Sequence, residues 1–137
     1  MTLRDAFHDM HDSAAAMLVY ARLAQLSRER AQWPAAARFL LLTGIEACRA
    51  GYLDVAELCR QRVLASQPRH QVGRSATFPG WMRSPDFPPL ARQLERFCTL
   101  ERAEALLEQN GGLEIPPDQA ARHRQTLAAL GAAGEDA

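Results

Sequence analysis

The segment from residue 33 to residue 68 constrains the fold of this 137-residue chain more than any other. It opens with Trp33-Pro34, and proline is accepted in the first turn of a helix, where its missing N–H has no helical partner to lose. Residues 35–48 then include only two charged side chains, Arg38 and Glu46. A helix that is apolar almost all round is usually buried. We therefore predict that this helix lies at the centre of the fold.

A turn and a second helix follow the central helix. Gly51 permits the left-handed backbone conformation that ends many helices, and Asp54 lies where an acid favours the start of the next one. Pro68 ends the second helix at about Ser66, because proline cannot continue it. We predict a helical hairpin whose two helices are joined at Gly51.

Helical spacing also predicts a long first helix. A stripe of apolar or small residues runs from Leu3 to Ala24 in steps of three and four, and the helix should end near Arg30. Asp12 and Ser13 mark the place where this helix would break, because either side chain can cap a new start.

The C-terminal half predicts three more helices. They begin near Pro88, after the capping residue Thr99, and near Pro117, with the last ending at about Leu130. The chain is rich in Ala and poor in β-branched residues, a composition that favours helix over sheet. We predict one all-α domain of five to six helices over residues 1–130, followed by a disordered tail at residues 131–137.

Residues 69–86 form a long connection without helical or alternating spacing, and they contain two prolines and two glycines. Such connections are uncommon in compact domains and are often functional. This one combines arginines with aromatic residues, a composition enriched at the energetic centres of interfaces. It equally fits a loop whose rings close the open end of a helical bundle. We predict that the partner-binding residues are Arg69, Arg74, Phe78, Trp81 and Arg83.

The hairpin over residues 37–70 resembles a single tetratricopeptide repeat. That family uses the pattern W-x2-L-G-x2-Y, then A-x3-F and P, over 34 residues. Its glycine, glycine, alanine and proline positions are filled here by Gly44, Gly51, Ala56 and Pro68, whereas its large anchors are replaced by Leu40, Thr43, Ala47 and Arg60. The pattern does not recur one period upstream or downstream. The resemblance implies two antiparallel helices in close contact at Gly44 and Ala56, and a role in holding peptides.

Charge is balanced overall but unevenly distributed. Residues 60–96 hold 7 Arg against 2 acids, and residues 97–137 hold 3 Arg against 7 acids. Clustered charge steers partners of opposite sign, whereas a duplex-binding domain is usually basic overall. No apolar stretch is long enough to span a bilayer. We predict a protein or peptide partner that is acidic where it binds, with no nucleic acid and no membrane.

The three cysteines, Cys48, Cys59 and Cys98, match neither a zinc spacing nor an even disulfide framework. They indicate buried thiols in a reducing compartment, with a Cys48–Cys59 redox pair as the alternative. The N-terminus has no signal-peptide pattern. All 16 basic residues are Arg, which is typical of a GC-rich bacterial genome. We predict a bacterial cytoplasmic protein.

Motifs for catalysis are missing from the sequence. It contains neither a nucleophile elbow nor a glycine-rich phosphate-binding loop, so we predict no enzymatic activity and no cofactor. His8, His11 and Asp12 form the one metal-ligating pattern at helical spacing, and it lacks a supporting ligand motif. The carboxylates Glu101, Glu104 and Glu108 follow helical spacing and predict a solvent-exposed helix face. The alternatives are that they bind an Arg-rich partner or form a weak cation site.

These observations favour a binding protein. We predict an adaptor or scaffold that binds a partner segment through the basic, aromatic loop and the hairpin. One alternative is a metal- or small-ligand-binding helical protein that uses His8, His11 and Asp12. Another is a structural subunit that forms a homodimer through the stripe of its first helix.

Overall fold

The computed structural model describes residues 12–131, and this part of the chain is all-helical, as predicted. It contains six α-helices of ten or more residues, a five-residue helix and one 3-10 turn. The α-helices are α1 (Ser13–Glu29), α2 (Trp33–Ala50), α3 (Leu53–Ser66), α4 (Phe78–Met82), α5 (Phe87–Phe97), α6 (Leu100–Gln109) and α7 (Gln119–Ala129), and the 3-10 turn is Gln71–Arg74. None of these helices is long and apolar enough to cross a membrane.

Helix α2 is the centre of the fold. Eleven of its 18 residues are buried, which confirms the prediction from its apolar sequence. Helices α1 and α3 pack along it, and α4 contacts both α2 and α3. Gly51 ends α2 in the left-handed conformation, with φ of 89°, and its N–H donates to the carbonyl of Cys48. The predicted hairpin of α2 and α3 is therefore present.

Helix α1 begins later than the sequence predicts. Asp12 has an extended backbone, and its carboxylate accepts a hydrogen bond from the N–H of Ala15 at 3.0 Å. The predicted helix is therefore interrupted at Asp12, because the cap fixes a fresh start there. The remainder of that prediction, residues 2–11, lies outside the described residues. Within α1, the stripe residues Met17 and Ala21 are buried against the chain's own helices, chiefly α2 and α7.

Helix α7 returns to the start of the domain and packs on α1. The guanidinium of Arg122 donates to Asp12 at 2.6 Å, and the ring of His123 lies 2.7 Å from the Asp54 carboxylate at the start of α3. The same imidazole stacks on Tyr52, with 4.5 Å between ring centroids. These contacts join the last described helix to the N-terminal ends of α1 and α3.

Candidate functional site

The connection between α3 and α5 is more ordered than its sequence predicts. It contains the 3-10 turn Gln71–Arg74 and helix α4, and side chains cap both elements. His70 Nδ1 accepts a hydrogen bond from the N–H of Val72 at 3.0 Å, and Thr77 Oγ1 accepts one from Gly80 at 3.0 Å. Such local bonds give the backbone partners that a regular helix or strand would otherwise supply.

The aromatic residues of this connection form a buried cluster. Phe78 and Trp81 are both 0% exposed, with 5.2 Å between their ring centroids, and Phe87 meets Trp81 edge-on at 5.0 Å. The indole N–H of Trp81 donates to Gln71 Oε1 at 2.9 Å, so the one polar atom of that ring is satisfied. The cluster attaches the connection to the hairpin.

Gly44 makes room for the cluster on α2. A Cβ atom at this position would lie 2.3 Å from Cε2 of Phe78, far inside ordinary contact distance. All three of its nearest neighbours belong to that ring, and none belongs to α3. A side chain at Gly44 would therefore meet Phe78 first, whereas the close approach of the two hairpin helices that the tetratricopeptide resemblance implied at Gly44 stays a prediction.

Arg60 of α3 attaches the same connection from the other side. Its Nε donates to the carbonyl of Val72 at 3.4 Å, and its Nη2 donates to the carbonyl of Ser75 at 2.8 Å. Glu57 pairs with its Nη1 at 2.9 Å. The sequence analysis named Arg60 only as a departure from the repeat pattern, because its backbone partners lie 12 and 15 residues away.

The predicted partner-binding residues divide into two groups. Phe78 and Trp81 are fully buried, so in this conformation neither ring has surface to offer a partner. Arg69, Arg74 and Arg83 are exposed, and Arg74 pairs with Asp86 at 3.2 Å. A partner of this connection would therefore contact its arginines, while the rings hold its backbone in place. Partner binding itself stays a prediction.

A groove lies between the connection, α5 and the N-terminal half of α2, and we call it the basic groove. Its volume is about 690 Å³, within the range of ligand-binding clefts. Apolar side chains and polar or basic ones line it together, and none of the described residues that line it is acidic. They are Pro34, Ala37, Arg38, Leu41, Gln67, His70, Leu90, Gln93, Leu94, Arg96 and Phe97.

Two arginines carry the charge of the basic groove. The Arg38 guanidinium lies 5.1 Å from the ring centroid of Phe97, a cation–π contact that restrains it without neutralising it. Arg96 is exposed on α5. Neither arginine has an ion-pair partner among residues 12–131. The nearest acid on α5 in sequence, Glu95, lines a different pocket.

His70 adds a neutral donor to this groove. Burial lowers the pKa of His70, so the imidazole is uncharged at neutral pH. Because Nδ1 accepts a hydrogen bond from Val72, the hydrogen of the neutral ring resides on Nε2. With two guanidinium groups, one imidazole N–H and the amides of Gln67 and Gln93, the groove is rich in donors and suits a carboxylate-bearing ligand.

The other predicted chemistries find less support among the described residues. Residues 12–131 contain no group of three or more His, Cys, Asp or Glu side chains that could hold a metal ion. Of the predicted metal ligands, His8 and His11 lie outside these residues, and the Asp12 carboxylate already bonds to Ala15 and Arg122. All three cysteines are free thiols, and burial raises the pKa of Cys48 to about 11, which disfavours the reactive thiolate.

The chain was compared with protein family models, with curated proteins and with solved structures. None of the three comparisons finds a match.

Proposed function

We propose that the protein is a non-enzymatic binding module that holds an acidic segment of a partner protein in the basic groove. The observation that carries this proposal is the pair Arg38 and Arg96, two cations without ion-pair partners among the described residues, above an apolar floor without an acid. The odd number of cysteines, which does not suit a disulfide framework, and the absence of lysine support a bacterial cytoplasmic setting.

The groove favours a peptide with two kinds of side chain. Pro34, Leu90 and Phe97 line the groove and remain at least partly exposed, so they provide apolar surface that removes a partner's aliphatic side chains from water. Guanidinium groups bind carboxylates through paired, charge-assisted hydrogen bonds, which fix the orientation of the bound segment. An acidic segment with apolar residues at helical spacing satisfies both requirements and is a common ligand for a groove between helices.

A model peptide tests this function directly. A fluorescein-labelled amphipathic helix carrying Leu and Glu should bind the full chain in an anisotropy titration, and an excess of the unlabelled Lys-for-Glu peptide should not displace it. Arg38→Gln combined with Arg96→Gln should weaken binding about tenfold at low ionic strength, since two exposed charge pairs are lost.

Arg92→Gln provides the matched control, because Arg92 is an exposed arginine of α5 that does not line the basic groove. It should leave the peptide affinity within about twofold. Equal weakening by Arg92→Gln, or unchanged binding to the double variant, would contradict the proposed site.

A further inference from the structure

A second groove lies at the N-terminal end of α1, and we call it the acidic groove. Its volume is about 480 Å³. Seven apolar residues and three acids line it, and no described Arg or His does: Asp12, Ala15, Ala16, Val19, Leu100, Glu104, Leu107, Glu108, Leu113 and Ile115. It shares no lining residue with the basic groove.

The wall of the acidic groove depends on two glycines after α6. Gly111 and Gly112 have φ of 100° and 75°, a left-handed backbone that L side chains rarely adopt. The N–H of Gly112 donates to the carbonyl of Leu107 at 2.7 Å, which caps α6 and reverses the chain. As a result, Leu113 and Ile115 return to the groove and remain only half-buried.

The negative charge of this groove comes from α6. Asp12 is already paired with Arg122 at 2.6 Å. Glu104 and Glu108, one helical turn apart, are exposed and have no ion-pair partner in the described part of the chain. Like charges at this spacing repel one another, so a cation placed between them relieves the repulsion. Among the described residues, the groove therefore combines apolar surface with two carboxylates of α6 that no ion pair neutralises.

We propose that the acidic groove docks a basic amphipathic helix of a partner protein. Its apolar side chains at positions i, i+3 and i+7 would cover the surface formed by the half-buried Leu100, Leu113 and Ile115, and its Lys or Arg side chains would meet Glu104 and Glu108. The inference is independent of the proposed function. If both hold, the two grooves select partners of opposite charge, and one chain bridges them.

An anisotropy titration of the full chain with a labelled amphipathic Leu/Lys peptide tests the second groove. We expect saturable binding that weakens as salt is added, because exposed charge pairs are screened. Glu104→Gln combined with Glu108→Gln should weaken it about tenfold. Ile115→Ser should weaken it as well at high salt, which a purely electrostatic association would not show.

Glu114→Gln is the matched control, since Glu114 is an exposed acid between two lining residues but does not line the groove itself. The Glu114→Gln variant should bind the peptide with an affinity within about twofold of that of the parent chain. Equal binding to the Glu104/Glu108 double variant overturns the proposal. The proposal is also overturned if a second copy of the chain fills the groove, which sedimentation would show as self-association that the peptide reverses. Peptide binding only after deletion of residues 2–11 would also overturn it, because the chain's own N-terminal segment would then be the occupant.

Discussion

Replacing Gly44 with alanine should destabilise the protein, although alanine is the better helix former. The added Cβ would lie 2.3 Å and 2.4 Å from Cε2 and Cζ of Phe78, so the ring has to move by more than 1 Å to reach about 3.5 Å. That ring is 0% exposed and packed against Trp81, which leaves it little space. Overpacking costs about 1–3 kcal/mol, and the propensity gain returns about 1 kcal/mol. We expect the free energy of unfolding to fall by about 1 kcal/mol.

Urea denaturation followed by circular dichroism measures this change, and a double-mutant cycle isolates its cause. Leucine at position 78 lacks the two ring atoms that meet the new Cβ, so Gly44→Ala should be neutral or stabilising in a Phe78→Leu background. The sign of the substitution therefore depends on Phe78. If Gly44→Ala lowers stability equally in both backgrounds, the ring is not what requires glycine at this position.

Three further outcomes follow from individual contacts. Burial raises the pKa of Asp12, but hydrogen bonds from Ala15 and Arg122 outweigh this effect and lower the pKa below 3.8. The ion pair of Asp12 with Arg122 therefore stabilises the folded state above that pH, and this stabilisation is lost as the pH falls through the lowered pKa. Asp12→Asn should lower the free energy of unfolding by about 0.5 kcal/mol at neutral pH and by nothing in strong acid, as pH-dependent urea titrations would show. Cys48, whose pKa is raised from 9.0 to about 11, should be alkylated by iodoacetamide roughly a hundredfold more slowly than in the urea-unfolded chain, with mass spectrometry as the readout. Arg60→Met should cost about 1–3 kcal/mol and speed amide exchange at residues 71–75, whereas unchanged exchange there would show that Arg60 does not hold the connection.

The sequence predicts the helices of this protein better than the contacts between them. Helix α2 was identifiable because it is apolar on nearly all sides, and the turn at Gly51 because glycine alone accepts its backbone conformation at low cost. Thr99 likewise caps α6 as predicted, accepting a hydrogen bond from Arg102 at 3.2 Å. These signals are local, so neighbouring residues contain all the information they need.

The connection between α3 and α5 shows why local signals fail elsewhere. Its 3-10 turn and α4 are held by partners far away in sequence, such as Arg60 for Val72 and Gly44 for Phe78. Periodicity cannot reveal such partners. Composition also misleads here, because arginines mixed with aromatic rings describe an exposed interface and a buried cluster equally well.

The candidate site was only partly foreseeable. The basic character of residues 60–96 indicated an anion-attracting surface, but the groove also needs Arg38 from α2, which no spacing rule connects to Arg96. The likeness of the hairpin to a tetratricopeptide repeat stays a prediction. The structure adds one contact that the repeat pattern does not contain, the ring of Phe78 against Gly44.

Under the proposed function, the buried aromatic cluster links folding of the connection to the affinity of the basic groove for its ligand. His70 lines the basic groove, and the next residue, Gln71, accepts the indole hydrogen bond of Trp81. When the cluster detaches from α2, the groove therefore loses one wall. The observed affinity for the ligand is the intrinsic affinity multiplied by the fraction of molecules in which the cluster is packed on α2. By the same thermodynamic cycle, ligand binding must tighten the seating of the cluster. Substitutions at Gly44 should thus alter binding without touching the ligand.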